Sequence, residues 1–192
     1  PEENGVATSK EHLGFGKKGL IYVRSEQVMK GYYKRPDLTE KIIDEDGWLN
    51  TGDLGLLTFD NEIKITGRAK DTIVLLGGEN IEPAVIESEL LTSPYIESVI
   101  VIGQDQRYLG ALVVPSKESV VAYAKENNLD ASDYEELLKT KEILDLIGTE
   151  IKTKDSTENG FRVCEKIWNF ALLPNSFKVG EELSAKQEMM RH

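Results

Sequence analysis

An arginine, a lysine and an aspartate crowd one short connection in TGRAKDTIVLLGGENIEP, residues 66–83. Arg68, Lys70 and Asp71 precede an apolar run that ends in Gly77, Gly78 and Glu79, and Pro83 is placed to open a helix. Upstream, Asp53 stands in the Thr-Gly-Asp of WLNTGDLG. The chemistry these types suit is oxygen recognition. A guanidinium offers a fixed fork of donors for phosphate or hydroxyl oxygens, and a carboxylate can accept from two neighbouring donors at once. Adjacent glycines let a backbone and a ligand approach closely. Plain structural roles fit the same residues: Asp53 satisfying amides in a turn, Arg68 and Lys70 as solvated turn charges, and Gly77 and Gly78 as the loop before a helix.

Other chemistries are poorly supplied. GFGKKG, residues 14–19, matches the spacing of a dinucleotide-binding loop, but polar ATSKEH precedes it and strand-like GLIYVRS follows, so no helix N-terminus would meet a pyrophosphate and it reads as a turn. The single cysteine, Cys164, is expected to be an ordinary buried position, and His12 and His192 lie too far apart in sequence for a zinc spacing. A net charge of −11 argues against a dedicated nucleic-acid binder. With 30 % charged and 40 % apolar residues, 16 Gly and 6 Pro, the 192-residue chain reads as soluble and globular. It shows no apolar run near the ~20 residues of a membrane span and no signal-peptide pattern at PEENGVATSK. The expectation is a cytoplasmic protein, with peripheral membrane contact left open.

The elements that would position these residues follow from pattern. GLIYVRS reads as a strand, Pro36 and Asp37 open a short helix with Glu40 in the capping-box position, and Asp46-Gly47 ends it. GLLTFDNEIKITG alternates as a β-hairpin around Asp60-Asn61, and TIVLL is a further strand. Then the texture changes: EPAVIESELLTS is a helix, SVIVIG and ALVVP are buried strands, and SKESVVAYAKENN is a helix. SDYEELLKTKEILDLIGTEI reads as one helix starting at Ser132, with Leu138, Ile143, Leu144, Ile147 and Ile151 near one face. FRVCEKI continues the helical content and WNFALLP is a last strand. The fold class is α+β, with a mostly β segment over 1–69 and an α+β domain of a small sheet flanked by helices over 70–192. The charged connection then falls at a domain junction, which must stay solvated and be able to rotate.

VMKGYYKRPDLTEKIIDEDGWLNTGDLG followed by ITGRAKDTIVLLGGENIEPAVIE resembles the acyl-adenylate-forming (AMP-binding) enzyme family, and within it the long-chain fatty acid–CoA ligases. The long-chain resemblance rests on GRAKDTIVL with GENIEP, since aryl-acid and peptide-synthetase relatives usually carry Asp where Lys70 stands. The resemblance implies a two-step reaction: a carboxylate attacks ATP to give acyl-adenylate and diphosphate, then the CoA thiol displaces AMP. It implies that Asp53 holds the ribose hydroxyls and that Arg68 reaches the ribose or α-phosphate. Lys70 would be the hinge about which the C-terminal domain swings, and Gly77, Gly78 and Glu79 would line the pantetheine channel. The implied substrates are fatty acid, ATP and CoA, with Mg2+ accompanying ATP but finding no ligands in this stretch.

Two departures qualify the resemblance. The Ser/Thr/Gly-rich phosphate loop ending in Pro-Lys-Gly is missing, as is the aromatic-Gly-x-Thr-Glu segment expected before Gly19. The expectation is therefore a C-terminal fragment, inactive in isolation, whose partner is the large N-terminal domain of the same chain. The tail also deviates from Leu-Thr-x-Thr-x-Lys. Matching lysine to lysine selects Lys186 as the residue that stabilises charge at the α-phosphate during adenylation, whereas counting back from Arg191 and His192 places Glu188 there. Two alternatives stay open: a non-catalytic binding or regulatory module on the same fold, and a ligase for another carboxylic acid.

Overall fold

The computed structural model of the chain describes residues 2–3, 6–7, 9, 11–178 and 180. Two compact units divide it, Pro1–Thr72 and Ile73–His192. Together they bear out the α+β class: antiparallel strands dominate the first unit, and a small sheet with helices forms the second. Among the described residues no helix is long and apolar enough to cross a membrane.

In the first unit, the short strands β1 (Glu2–Glu3) and β2 (Val6–Ala7) pair with each other. Next come β3 (Lys18–Val23), helix α1 (Pro36–Ile42), β4 (Leu49–Leu57) and β5 (Ile63–Arg68). These three longer strands form an antiparallel sheet in the order β3-β4-β5. The hairpin turns at Asp60 and Asn61 as the pattern predicts, closed by Thr58 N–H donating to Glu62 O at 2.8 Å, with Asn61 in the left-handed region at φ 61°. Pro36 opens α1, but the expected capping box does not form. The N-cap is Arg35, whose guanidinium takes both Asp37 carboxylate oxygens, at 2.9 and 2.7 Å. Among the described apolar side chains of this unit only Leu54 and Ala69 are fully buried.

The second unit opens with a miniature hairpin, β6 (Ile73–Val74) and β7 (Asn80–Ile81), so TIVLL pairs over two residues rather than five. Helix α2 (Pro83–Leu90) follows, with Pro83 in its first turn where the missing N–H costs nothing. β8 (Ile96–Ile102) and β9 (Leu109–Pro115) form an antiparallel pair, and β10 (Ile167–Leu172) adds to β9 in parallel. A parallel partner requires a long crossover. Helices α3 (Lys117–Glu126), α4 (Tyr134–Leu137) and α5 (Lys141–Lys154) supply it.

The single helix expected from Ser132 is thus two. Asp133, not Ser132, caps α4, accepting from Glu135 N at 2.9 Å and Glu136 N at 3.2 Å. The break follows at Thr140, which is extended (ψ 146°) and whose hydroxyl donates to Leu137 O at 2.7 Å, a side-chain competitor for the helical ladder. The inward stripe is Ile143, Ile147 and Ile151, each at most 1 % exposed, while Leu144, expected on this face, is 38 % exposed. One residue of rotation, 100°, separates Leu144 from Ile143. FRVCEKI is not helical beyond a 3-10 turn at Val163–Glu165, and Cys164 is half-buried at the core margin rather than buried.

Ile86 and Leu90 of α2 join the isoleucines of α5 and the inner residues Val101, Ala111 and Val113 of the sheet in one core. Each large aliphatic side chain buried there contributes about 1.5–3 kcal/mol. Of the carboxylates buried in this unit, Glu87 and Asp155 each have a backbone donor. Glu87 accepts from Val101 N at 2.7 Å, which occupies a donor of the edge strand β8. Asp155, the C-cap of α5, accepts from Ile167 N at 2.7 Å and so ties the crossover to the first residue of β10.

Burial raises the Asp155 carboxyl above the usual carboxylate range, although the Ile167 amide and Lys166 pull the other way. A folded pKa above the unfolded one means that the folded state binds the proton more tightly. Stability therefore falls as pH rises from the unfolded value, about 3.9, through the folded one. Asp155→Asn keeps an acceptor for Ile167 without the titration. Its urea-unfolding free energy is expected to lose this part of the descent, and identical pH profiles for the two proteins would contradict the assignment.

Candidate functional site

The antiparallel register of β4 and β5 sets Asp53 directly opposite Arg68. Asp53 lies within a strand, where the sequence suggested a turn, and Gly52 before it has φ 76°. The kink exposes backbone donors, and neighbouring side chains take them: Gly52 N–H donates to Asn50 Oδ1 at 2.9 Å and Asp53 N–H to Thr51 Oγ1 at 3.1 Å. Thr51 is itself anchored, donating to Ile21 O on β3 at 2.9 Å. Local amides thus have acceptors other than the Asp53 carboxylate, which faces Arg68 with Oδ1 3.4 Å from Nε. Arg68 is 58 % exposed and Asp53 29 %. Such a pair adds little stability.

Lys70 follows on the 3-10 turn Ala69–Asp71, its side chain exposed beside the buried Ala69. It stands two residues before the last residue of the first unit, Thr72. A hollow of about 630 Å³ in the first unit, with Tyr22, Trp48 and Asn50 in its wall, includes none of Asp53, Arg68 and Lys70.

In the second unit, Gly77 and Gly78 form the tip of the β6–β7 hairpin. Gly78 N–H donates to Leu75 O at 2.8 Å and Leu75 N–H to Glu79 O at 3.0 Å, with Gly78 at φ 85°. The plain reading of this segment as a loop before a helix understates it, because long-range bonds hold both sides. Val74 N–H donates to the Gln104 side chain at 3.0 Å, Asp105 N–H to Val74 O at 2.9 Å and Leu76 N–H to Gln106 O at 2.9 Å. On the other strand, Arg162 Nη2 donates to Asn80 O at 2.9 Å and to Glu165 Oε1 at 2.8 Å. Glu165 and, more weakly, Glu79 hold the Arg162 guanidinium above its ordinary pKa. Gln104 and Arg162 were not legible in advance, since 82 positions separate Arg162 from the carbonyl it holds.

Lys186 and Glu188 lie outside the described residues. Among the described residues no three His, Cys, Asp or Glu side chains converge on a point that could hold a metal ion.

Residues 70–140, which begin at Lys70 and include the hairpin, α2 and the β8–β9 pair, match the family model of the AMP-binding enzyme C-terminal domain. The chain belongs to the AMP-binding enzyme family. Among curated relatives, a chloroplastic long-chain-fatty-acid–acyl-carrier-protein ligase of Arabidopsis thaliana is 44 % identical over 152 residues, 72 % of this chain and 20 % of the relative. Long-chain-fatty-acid–CoA ligase 1 of Cavia porcellus is 34 % identical over 167 residues, 86 % of this chain and 24 % of the relative. The chain thus spans about a fifth to a quarter of the length of these ligases. Among solved AMP-binding structures, the A domain of a carboxylic acid reductase from Segniliparus rugosus, in complex with AMP and a co-purified carboxylic acid, matches with a TM-score of 0.74 at 26 % identity. That match covers 91 % of this chain and 26 % of the other.

The hairpin yields a stability prediction. A Cβ at Gly78 meets no atom, so Gly78→Ala is opposed only by its left-handed backbone, at about 1–2 kcal/mol. A Cβ at Gly77 meets the Glu79 carboxylate, the far end of a side chain that can swing away, so Gly77→Ala is expected to cost less. Thermal unfolding of the two variants checks the order, and equal losses would count against the turn geometry.

Proposed function

We propose that the chain is the C-terminal part of an AMP-forming fatty acid ligase, which joins a long-chain fatty acid to a pantetheine thiol through an acyl-adenylate. The observation that carries this reading is the Asp53–Arg68 pair, a carboxylate and a guanidinium directly opposed across two strands with neighbouring amides satisfied by other groups. In that role Asp53 accepts from the two ribose hydroxyls, and Arg68 turns from Asp53 to the ribose or α-phosphate oxygens. Lys70 is the pivot for the domain that follows. The tip at Gly77, Gly78 and Glu79 then lies along the thiol arm. Lys186, or Glu188 in the alternative match of the tail, marks the adenylation position, and a lysine there offsets negative charge developing at the α-phosphate. ATP and fatty acid are the other substrates, Mg2+ would enter with ATP, and the large N-terminal domain is the partner.

Two thiols fit the reading, CoA and the phosphopantetheine of an acyl carrier protein. The Cavia porcellus relative's name supports the first, and the more similar Arabidopsis thaliana relative's name supports the second. Fatty-acid-dependent exchange of diphosphate into ATP by the full-length protein, followed by thioester formation with each thiol, is the test. Exchange that responds to no fatty acid would overturn the proposal.

Within that assay Asp53→Ala, which removes both ribose contacts, is expected to raise the KM for ATP by at least about 10- to 100-fold, the equivalent of one charge-assisted hydrogen bond. An unchanged KM would remove Asp53 from the nucleotide site. Lys70→Pro tests the pivot. Proline fixes φ near −65° and pushes Ala69 before it out of helical geometry, so a backbone that must adopt two states is held in one. Thioester formation is expected to slow far more than diphosphate exchange, whereas equal losses would refute the pivot.

A further inference from the structure

We propose that Arg162 is a positioning residue for the thioester half-reaction, acting through the Gly77-Gly78 tip and not on the nucleotide. This inference rests on the ligase reading above. The β6–β7 hairpin pairs only Ile73 with Ile81 and Val74 with Asn80, too short a ladder to define its own orientation. Its first side is tied to residues 104–106 by three hydrogen bonds, two at Val74 of β6 and one at Leu76 beyond it. For its second strand, the structure shows Arg162 Nη2 donating to Asn80 O.

Arg162 is prepared for that contact. Glu165 grips it twice, with Oε2 accepting from the Arg162 backbone N–H at 2.7 Å and Oε1 accepting from Nη2 at 2.8 Å. The 3-10 turn Val163–Glu165 fixes the spacing that lets one carboxylate reach both donors. The result is a planar donor aimed at a carbonyl, and a charge-assisted bond of this kind is about twice as strong as a neutral one. The contact lands one residue after Glu79, whose own charge acts on Arg162. A small shift of Asn80 would therefore be passed to the tip that lies along the pantetheine arm. That arm is common to CoA and to a carrier protein, so the effect should be shared by both.

The test uses the full-length enzyme with Arg162→Ala and Arg162→Lys, measured with CoA and, in a second arm, with phosphopantetheinylated acyl carrier protein. Arg162→Ala is expected to raise the KM for the thiol substrate about 10- to 100-fold, leaving diphosphate exchange within about twofold of the unsubstituted enzyme. Arg162→Lys keeps a cationic donor but loses the fork, and should recover part of the loss. Glu165→Ala, which leaves Arg162 in place but unheld, should shift the thiol KM in the same direction by less. A KM effect confined to the carrier protein would mean that Arg162 touches the protein partner, and would overturn action through the tip. Parallel losses in exchange and thioester formation would reduce Arg162 to a structural tie. An unchanged thiol KM with normal exchange would remove the role while leaving the ligase reading intact. No exchange in the unsubstituted enzyme would remove both.

Discussion

The parallel ladder between β9 and β10 is the constraint on which the second unit is built. Ile167 pairs with Leu109 and Leu172 with Val113, so the chain must travel from the C-terminal end of β9 back to the end where β9 begins. Helices α3 to α5 make that return, and their apolar sides join the core of the sheet. The same return brings residues 161–166 to the sheet end that also carries the β8–β9 turn, where the β6–β7 hairpin is tied. Asp155 secures the geometry by binding the first amide of β10, and Arg162 extends it to Asn80. An antiparallel β10 would begin at the opposite end of β9 and deliver neither contact.

In the first unit the corresponding constraint is antiparallel register. Directly opposed residues in such a pair hold their Cβ atoms roughly 5 Å apart, which makes the Asp53–Arg68 contact a result of strand pairing and not of side-chain search. The register shifts just beyond this pair, between Leu54 and Gly55. Irregularities of this kind commonly re-aim side chains at the end of a ladder. The pair is half-open to solvent and lies directly before the 3-10 turn that carries Lys70. Arg68 and the connection between units are thereby contiguous in the backbone.

Local chemistry was legible in the sequence where it was decided locally. Pro83 at the start of α2, the Asp60-Asn61 turn and the buried strands β8 and β9 all follow from residue type and spacing. The failures share a cause, a side chain bonding somewhere other than the nearest pattern suggests. Asp37 binds Arg35 instead of capping α1, Asp133 displaces Ser132 at α4, and Thr140 breaks the long helix with its own hydroxyl. Leu144 was included in the apolar face because its type fits, but the isoleucine stripe at spacings of four leaves it outside. The site divides in the same way. Asp53, Arg68, Lys70 and the glycines stand out by motif, whereas Gln104 and Arg162 owe their positions to sheet order, which no local spacing encodes.

The two units differ in how much of their stability is internal, and this bears on the proposed pivot. The second gathers aliphatic side chains from α2, α3, α5 and all three strands of its main sheet into one continuous core, and its buried Glu87 and Asp155 have backbone partners within the same unit. A body of that kind keeps its shape if the backbone at Lys70 turns, because none of those core contacts crosses residue 72. The hairpin tip and its ties at residues 104–106 and 162 would then travel as one piece. Movement about a few residues in a short connection requires such rigidity, since a soft body would absorb the rotation internally and leave the tip undirected. On this argument the Arg162 and Gln104 contacts and the pivot are two halves of one requirement: the connection supplies the freedom, and the ties ensure that the tip uses it.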